Sequence, residues 1–187
     1  MKVLGISGSP RKNGNSEVYM NHTLKAVAEE GLDTELLRLA GLNIRPCDAC
    51  MACHRGKPCP IKDDVLPIYA RMRQADAILV ASPVYFSSVP ALTKGLLERV
   101  GYMCYGEKPF AGKVGGPLVV ARRAGQNFTF AELLQWFYIM GMVVPGSSYW
   151  SVAFGRDPGE VSSDEEGLAT AWNFGKNVAR VTQKLNE

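Results

Sequence analysis

The 187-residue chain lacks long apolar runs, blocks of like charge and, beyond two residues, histidine. No segment approaches the roughly twenty apolar residues needed to span a bilayer. The opening "MKVLGISGSP" also reaches Gly and Pro too early for the apolar stretch of a secretory signal. A cytoplasmic protein with no membrane partner is expected. Lys and Arg number 21 against 18 Asp and Glu, a formal charge of +3, and they are scattered. No basic stripe of the kind that grips nucleic acid results. His22 and His54 belong to no ligand spacing, and no Ser/His/Asp set or carboxylate pair sits at a predicted strand end, so hydrolysis has no candidate residues. The triphosphate loop G-x4-G-K-[ST] is absent: Gly8 and Gly14 are one residue too far apart, and Asn15 stands where Lys should. The dinucleotide pattern G-x-G-x-x-G is missing too.

What is present is an alternation of short apolar runs with longer segments of helical period, the pattern of a parallel sheet flanked by helices. Strands are expected at 2–7 (KVLGIS), 34–39, 76–82, 113–121 and 142–147 (MVVPGS). Helices are expected from Ser16, as cap, to a stop at Gly31, over 64–74, over 90–102 with Pro90 in the first turn, over 128–141, and from Ser163 to Leu185. Such a chain folds as an α/β flavodoxin-like doubly wound sheet of five parallel strands, order 2-1-3-4-5, in three α/β/α layers. It forms one domain, 1–187, interrupted by a cysteine-rich loop at 43–63. Ligands of this architecture bind beyond the carboxyl ends of strands one and three.

Two loops fall there. "SGSPRKNGNS" (7–16) follows the first strand and is rich in hydroxyls, amides and small residues, which let backbone N–H groups converge on an anion at a helix N-terminus. "SPVYFSSVP" (82–90) follows the third strand; Pro83 and Pro90 stiffen it, and Tyr85 and Phe86 offer an aromatic pair suited to a flat conjugated ring. A phosphate loop and an aromatic loop meeting at the switch point describe a site for FMN.

"GISGSPRKNGNS", "ASPVYFSSVPALTKGLLER" and "ARRAGQNF" resemble the three flavin-binding segments of the NADPH-dependent FMN reductase superfamily. The cysteine run is similar to that of its iron-sulfur flavoprotein branch, and the resemblance is weakest after Phe154. It implies that Ser9, Arg11, Asn13, Asn15 and Ser16 hold the FMN phosphate, and that Pro83, Val84, Tyr85 and Phe86 line the isoalloxazine. Arg122, Arg123, Ala124, Gly125 and Gln126 would cover the other side of the ring, with Arg123 as plausible in partner contact as in flavin contact. Ser7 and Ser87 complete the cofactor-binding set.

Four of the five cysteines, Cys47, Cys50, Cys53 and Cys59, lie within thirteen residues at C-x2-C-x2-C-x5-C. In a reducing compartment, metal binding or redox work is favoured over disulfides. Structural zinc sites usually pair two knuckles across a longer insert, whereas the compact triplet is the spacing by which ferredoxins wrap three corners of a [4Fe-4S] cube, and Cys59-Pro60 matches their terminal C-P. Five intervening residues give Cys59 slack to return to the same cube. Arg45, Arg55 and Lys57 would offset its negative charge. Zinc, or a loop holding nothing, stays open as an alternative. Cys104 has no partner at a useful spacing and reads as a small buried hydrophobe; Trp136, Phe137 and Tyr138 read as core or subunit contact.

FMN paired with a cube converts between two-electron and one-electron traffic, with no side chain required as nucleophile or base. The expected protein is an electron-transfer flavoprotein. A ferredoxin-type donor would dock near the cationic cysteine loop, and oxygen, peroxide or a quinone would serve as small acceptor. By resemblance, the cube approaches FMN from a neighbouring subunit of a dimer or tetramer. One alternative is an NAD(P)H-dependent FMN or quinone reductase whose cysteines bind zinc or nothing. Another is a redox-responsive flavin-binding module without turnover.

Overall fold

The computed structural model describes residues 1–187. In chain order it contains β1 (Lys2–Ser7), α1 (Asn15–Glu29), β2 (Asp33–Arg38), α2 (Val65–Gln74), β3 (Ala77–Pro83), α3 (Ala91–Met103), β4 (Val114–Ala121), α4 (Gln126–Ile139), β5 (Val152–Phe154) and α5 (Glu165–Leu185), with short 3-10 turns at Cys53–Arg55 and Glu160–Ser163. All strands are parallel, in the order β2-β1-β3-β4-β5, as the alternating pattern requires.

Strand side chains alternate between the two faces. Leu4, Ile6, Ile78, Val80 and Val119 pack with α2, α3 and α4 residues such as Ile68, Leu96 and Phe137. Val3, Leu79, Ala81, Leu118 and Val120 pack with α1 and α5 residues such as Met20, Phe174 and Val178. Both faces are covered, which is why the central strands β3 and β4 read as continuous apolar runs rather than alternating ones. The aromatic run on α4 divides: Phe137 is buried, the Trp136 indole N–H donates to the Leu97 carbonyl at 2.9 Å, and Tyr138 faces outward.

The fifth strand is not at 142–147. Val143 makes a single bridge to Val114, exchanging backbone bonds with Lys113 and Gly115. Pro145, which has no N–H to donate, and Gly146 then break the pairing. The chain returns seven residues later, so that Val152–Phe154 pairs with Val119–Ala121. The edge strand is thus split, and the apolar run marks only its first touch. Two caps also differ from expectation. Gly14, not Ser16, precedes α1, and Pro90 stands just before α3 rather than within its first turn. Asp164 caps α5, accepting the Gly167 N–H at 2.9 Å.

Candidate functional site

The loop after β1 is knitted to β3 and α3. The Gly8 N–H donates to the Ala81 carbonyl at 2.7 Å, and the buried Thr93 hydroxyl donates to the Gly8 carbonyl at 2.7 Å. A Cβ at Gly8 would lie 2.4 Å from the Thr93 hydroxyl, so only glycine permits this approach. The loop then turns through Asn13, whose φ of 55° is left-handed; its N–H donates to Glu17 at 3.1 Å. Glu17 is a buried carboxylate on the first turn of α1 and pairs with Arg38 at 2.8 Å, so its charge is answered locally. Beside it the buried Ser16 hydroxyl has no partner in the protein. An orphan donor on the first turn of a helix, where backbone N–H groups are also free, is the polar lining an anion needs.

Beyond β3, Tyr85 and Ser88 exchange backbone bonds of 2.8 and 3.1 Å around a two-residue turn in which Phe86 (φ 52°) and Ser87 (φ 62°) are both left-handed. Asn and Gly normally occupy such turns; a bulky residue there costs about 1–2 kcal/mol. The turn is held by Glu132 of α4, which accepts from the Ser88 hydroxyl at 2.8 Å, the Val89 N–H at 3.1 Å and Lys94 at 2.9 Å. Burial pushes the Glu132 carboxyl up, but these donors outweigh it and hold it below the usual carboxylate range. The result is a fully exposed Phe86 ring and a partly exposed Tyr85, neither of them core.

The third segment closes on the second. Gly125 adopts φ 85° at the start of α4, and a Cβ there would fall 2.8 Å from the Ser87 hydroxyl and 2.9 Å from Val84. A side-chain oxygen of Gln126 is buried without a partner.

A cleft of about 440 Å³ lies between these loops, within the range of small-cofactor sites. Of the residues expected there, Ser9, Arg11, Asn15, Ser16, Pro83, Val84, Tyr85 and Arg122 line it. Ser7 ends β1, buried behind the loop; Asn13, Phe86, Ser87, Arg123, Ala124, Gly125 and Gln126 do not line it. The wall that sequence reasoning missed is Gly155–Pro158, directly after the true β5. Asn15 holds this wall: its side-chain amide donates to the Asp157 carbonyl at 2.9 Å and accepts from the Val161 N–H at 3.3 Å. Finding it required the correct fifth strand, since a strand ending at 147 points to 148–150 instead.

The cysteine loop lies along α3. Cys47, Cys50, Cys53 and Cys59 line one small cavity with Ile61, Arg99 and Tyr102. Cys50 is exposed and the other three are half-buried. No three Cys, His, Asp or Glu side chains converge as ligands of a single ion. Left-handed residues Ala49 (φ 55°) and Met51 (φ 58°) bend the triplet, and the Ala49 N–H donates to Cys47 Sγ at 3.4 Å; turns of this kind turn N–H groups toward anionic sulfur. Arg55 donates to the Cys50 carbonyl at 2.9 Å, and His54 stacks on Tyr105 at 4.2 Å. Arg99, on α3, is buried and ion-paired with the equally buried Asp63; it also donates to Cys59 Sγ at 3.2 Å. Burial pushes the Asp63 carboxyl up, but Arg99 and the N–H groups of Arg45 and Val65 more than offset this and hold it below its ordinary range. Cys104 stands apart from the four: it is buried at the end of α3, and burial pushes its thiol up to about 11.

Residues 1–157 match the family model of NADPH-dependent FMN reductase. The chain belongs to that family. Being a member, it is a flavin-dependent oxidoreductase. Among its relatives, an iron-sulfur flavoprotein of Methanocaldococcus jannaschii is 40% identical, with 100% of each chain covered. An iron-sulfur flavoprotein of Methanosarcina thermophila is 34% identical over 100% of this chain and 98% of its own. In three dimensions the chain is similar to RosB, with a TM-score of 0.81 and 18% identity over 100% of this chain and 80% of that one. A flavodoxin from the domain Archaea matches at a TM-score of 0.66 and 12% identity, with both chains covered in full. These likenesses show the fold.

Proposed function

We propose that the protein is an electron-transfer flavoprotein that holds FMN in the cleft and a [4Fe-4S] cluster in the cysteine loop, coupling one-electron carriers to two-electron flavin chemistry. The observation that carries this reading is that one helix serves both sites. Thr93, in the first turn of α3, holds the loop after β1, and Arg99, six residues on, holds Cys59. The helical rise separates the two by about 9 Å along the axis. FMN supplies transfer of electrons singly or as a hydride, and a cluster supplies single-electron transfer.

The chain's own residues divide the work. Ser9, Arg11 and Ser16, with the free N–H groups at the start of α1, would hold the phosphate, the orphan Ser16 hydroxyl being the donor that fits it. Asn13 shapes the turn and Asn15 braces the wall. Pro83, Val84 and Tyr85 would face one side of the ring and Arg122 the other, where its charge can stabilise a reduced ring; the missing side chain of Gly125 lets these two segments approach closely at Ser87. Cys47, Cys50, Cys53 and Cys59 would each take one corner of the cube. Four cysteines lining one small hollow supply the donor set such a cube needs, one thiolate per corner, whereas zinc needs four sulfurs at about 2.3 Å from one centre.

A homo-oligomer, a ferredoxin-type donor at the loop and a small acceptor such as oxygen, peroxide or a quinone complete the proposal. The name of the family favours NAD(P)H as a donor, the basis of a second reading in which the protein is an NAD(P)H-dependent reductase and the loop holds zinc or nothing. Anaerobic purification followed by visible absorbance and FMN, iron, sulfide and zinc assays decides between them. Iron and sulfide in equal amounts beside FMN support the first reading; FMN with zinc or with no metal, and rapid NADPH oxidation, supports the second.

A further inference from the structure

Arg99 is the largest fully buried side chain in the protein, and the motif that fixes the four cysteines does not include it. An unpaired buried cation costs several kcal/mol, so its partners reveal what it is for. One terminal nitrogen pairs with Asp63 and reaches the Arg45 carbonyl at 3.3 Å. The other donates to Cys59 Sγ at 3.2 Å and reaches the Ile61 carbonyl at 3.5 Å. The residues it grips stand on both sides of the loop: Arg45 where the chain enters, and Cys59, Ile61 and Asp63 where it leaves. The Arg45 N–H closes the ring by donating to Asp63 at 2.9 Å. No other cysteine of the four receives a charged side-chain donor; Cys47 receives only a backbone N–H, at 3.4 Å.

We propose that Arg99 is a positioning residue for the cluster, placing Cys59 at its corner and setting the cluster's reduction potential through a charged N–H on that one sulfur. The inference rests on the cluster reading above. Its physics is direct. Reduction adds one negative charge to a thiolate-ligated cluster, and hydrogen bonds to the sulfurs together with net charge set how favourable that is. A guanidinium donor favours the reduced form. Asp63 works in the opposite sense, since its carboxylate partly cancels the cation that Cys59 feels. Arginine suits this post because its planar fork reaches both groups at once; lysine, a point donor, cannot.

The test uses anaerobically prepared full-length protein, with the cluster potential read by EPR-monitored titration and the FMN potential by absorbance. Arg99→Gln and the milder Arg99→Lys should each keep FMN and make cluster reduction at least tenfold less favourable, a shift of about 59 mV for one electron. Asp63→Asn should shift it in the opposite direction. The flavin potential should not move in any of the three. A merely structural role predicts no such opposition, so equal potentials, or shifts of one sign for Arg99→Lys and Asp63→Asn with full iron content, overturn the proposal. Should Arg99→Gln fail to fold, Arg99→Lys, which keeps a cation for Asp63, decides together with Asp63→Asn. Wild-type protein without iron and sulfide would instead sink the cluster reading itself, a failure visible before any variant is made.

Discussion

The flavin cleft and the cysteine loop are both braced by α3 but are built by opposite means. The cleft is made of strand ends and helix starts, and its small polar lining is fixed before any ligand arrives: Ser9, Gly14 and Ser16 are packed into the fold, while Arg11 and Arg122 stand exposed at its rim. The loop between Leu42 and Asp64 has no regular structure beyond one 3-10 turn, and its shape comes from ties at its two ends. Asp63 receives the Arg45 N–H and Arg99, and Asp64 receives the Asn43 N–H at 2.7 Å. A sheet can present a preformed site, whereas a loop held only at its stems would be completed by the cluster proposed for it.

That contrast is sharpest in Cys50→Ala. Removing the exposed Cys50 should abolish iron and sulfide binding while FMN stays at wild-type occupancy, checked by metal analysis and flavin absorbance. Flavin lost with iron still bound would reverse the division of labour. Next in size is Gly8→Ala. The added methyl meets Thr93 and the Ala81 carbonyl, costing about 1–3 kcal/mol, so denaturant unfolding should move to lower concentration and FMN should bind weakly.

The contrast also governs what could be read from sequence. The first four strands follow from their apolar runs, and the three inner ones, β1, β3 and β4, are buried on both faces and have nothing else to show. The fifth does not, because β-branched residues near Val143 signal a strand that Pro145 interrupts, and register beside β4 is a tertiary property. Cleft residues Ser9, Arg11 and Tyr85 were legible as loop chemistry at predictable strand ends, but Gly155–Pro158 depended on the misplaced strand. Arg99 was legible in principle: Leu92, Leu96, Arg99 and Met103 form one helical stripe, and a cation on an otherwise apolar stripe implies a buried partner. Which partner it has only the folded loop reveals.

Two smaller effects refine the comparison. Ser16→Ala should weaken FMN binding about tenfold or more, the worth of one charge-assisted hydrogen bond. It should leave the melting temperature of the flavin-free protein unchanged or slightly raised, because the hydroxyl has no partner to lose. Flavin titration and thermal unfolding of the apoprotein check both halves. Glu132→Gln should cost about 1 kcal/mol at neutral pH by loosening the Tyr85–Ser88 turn. The Glu132 carboxyl is held below its unfolded value, so its contribution is fully present above that unfolded value and lost as pH falls through the folded one. Stability measured from pH 7 down to 3 should therefore fall less steeply in the variant.

The central claim, that two redox groups of different electron capacity occupy these two regions of one chain, is tested most directly by anaerobic reductive titration of protein purified without air. The account predicts about three reducing equivalents per chain, two taken up by the flavin and one by the cluster, falling to about two in Cys50→Ala. An uptake of two equivalents in the wild type, unchanged by that substitution, would contradict it.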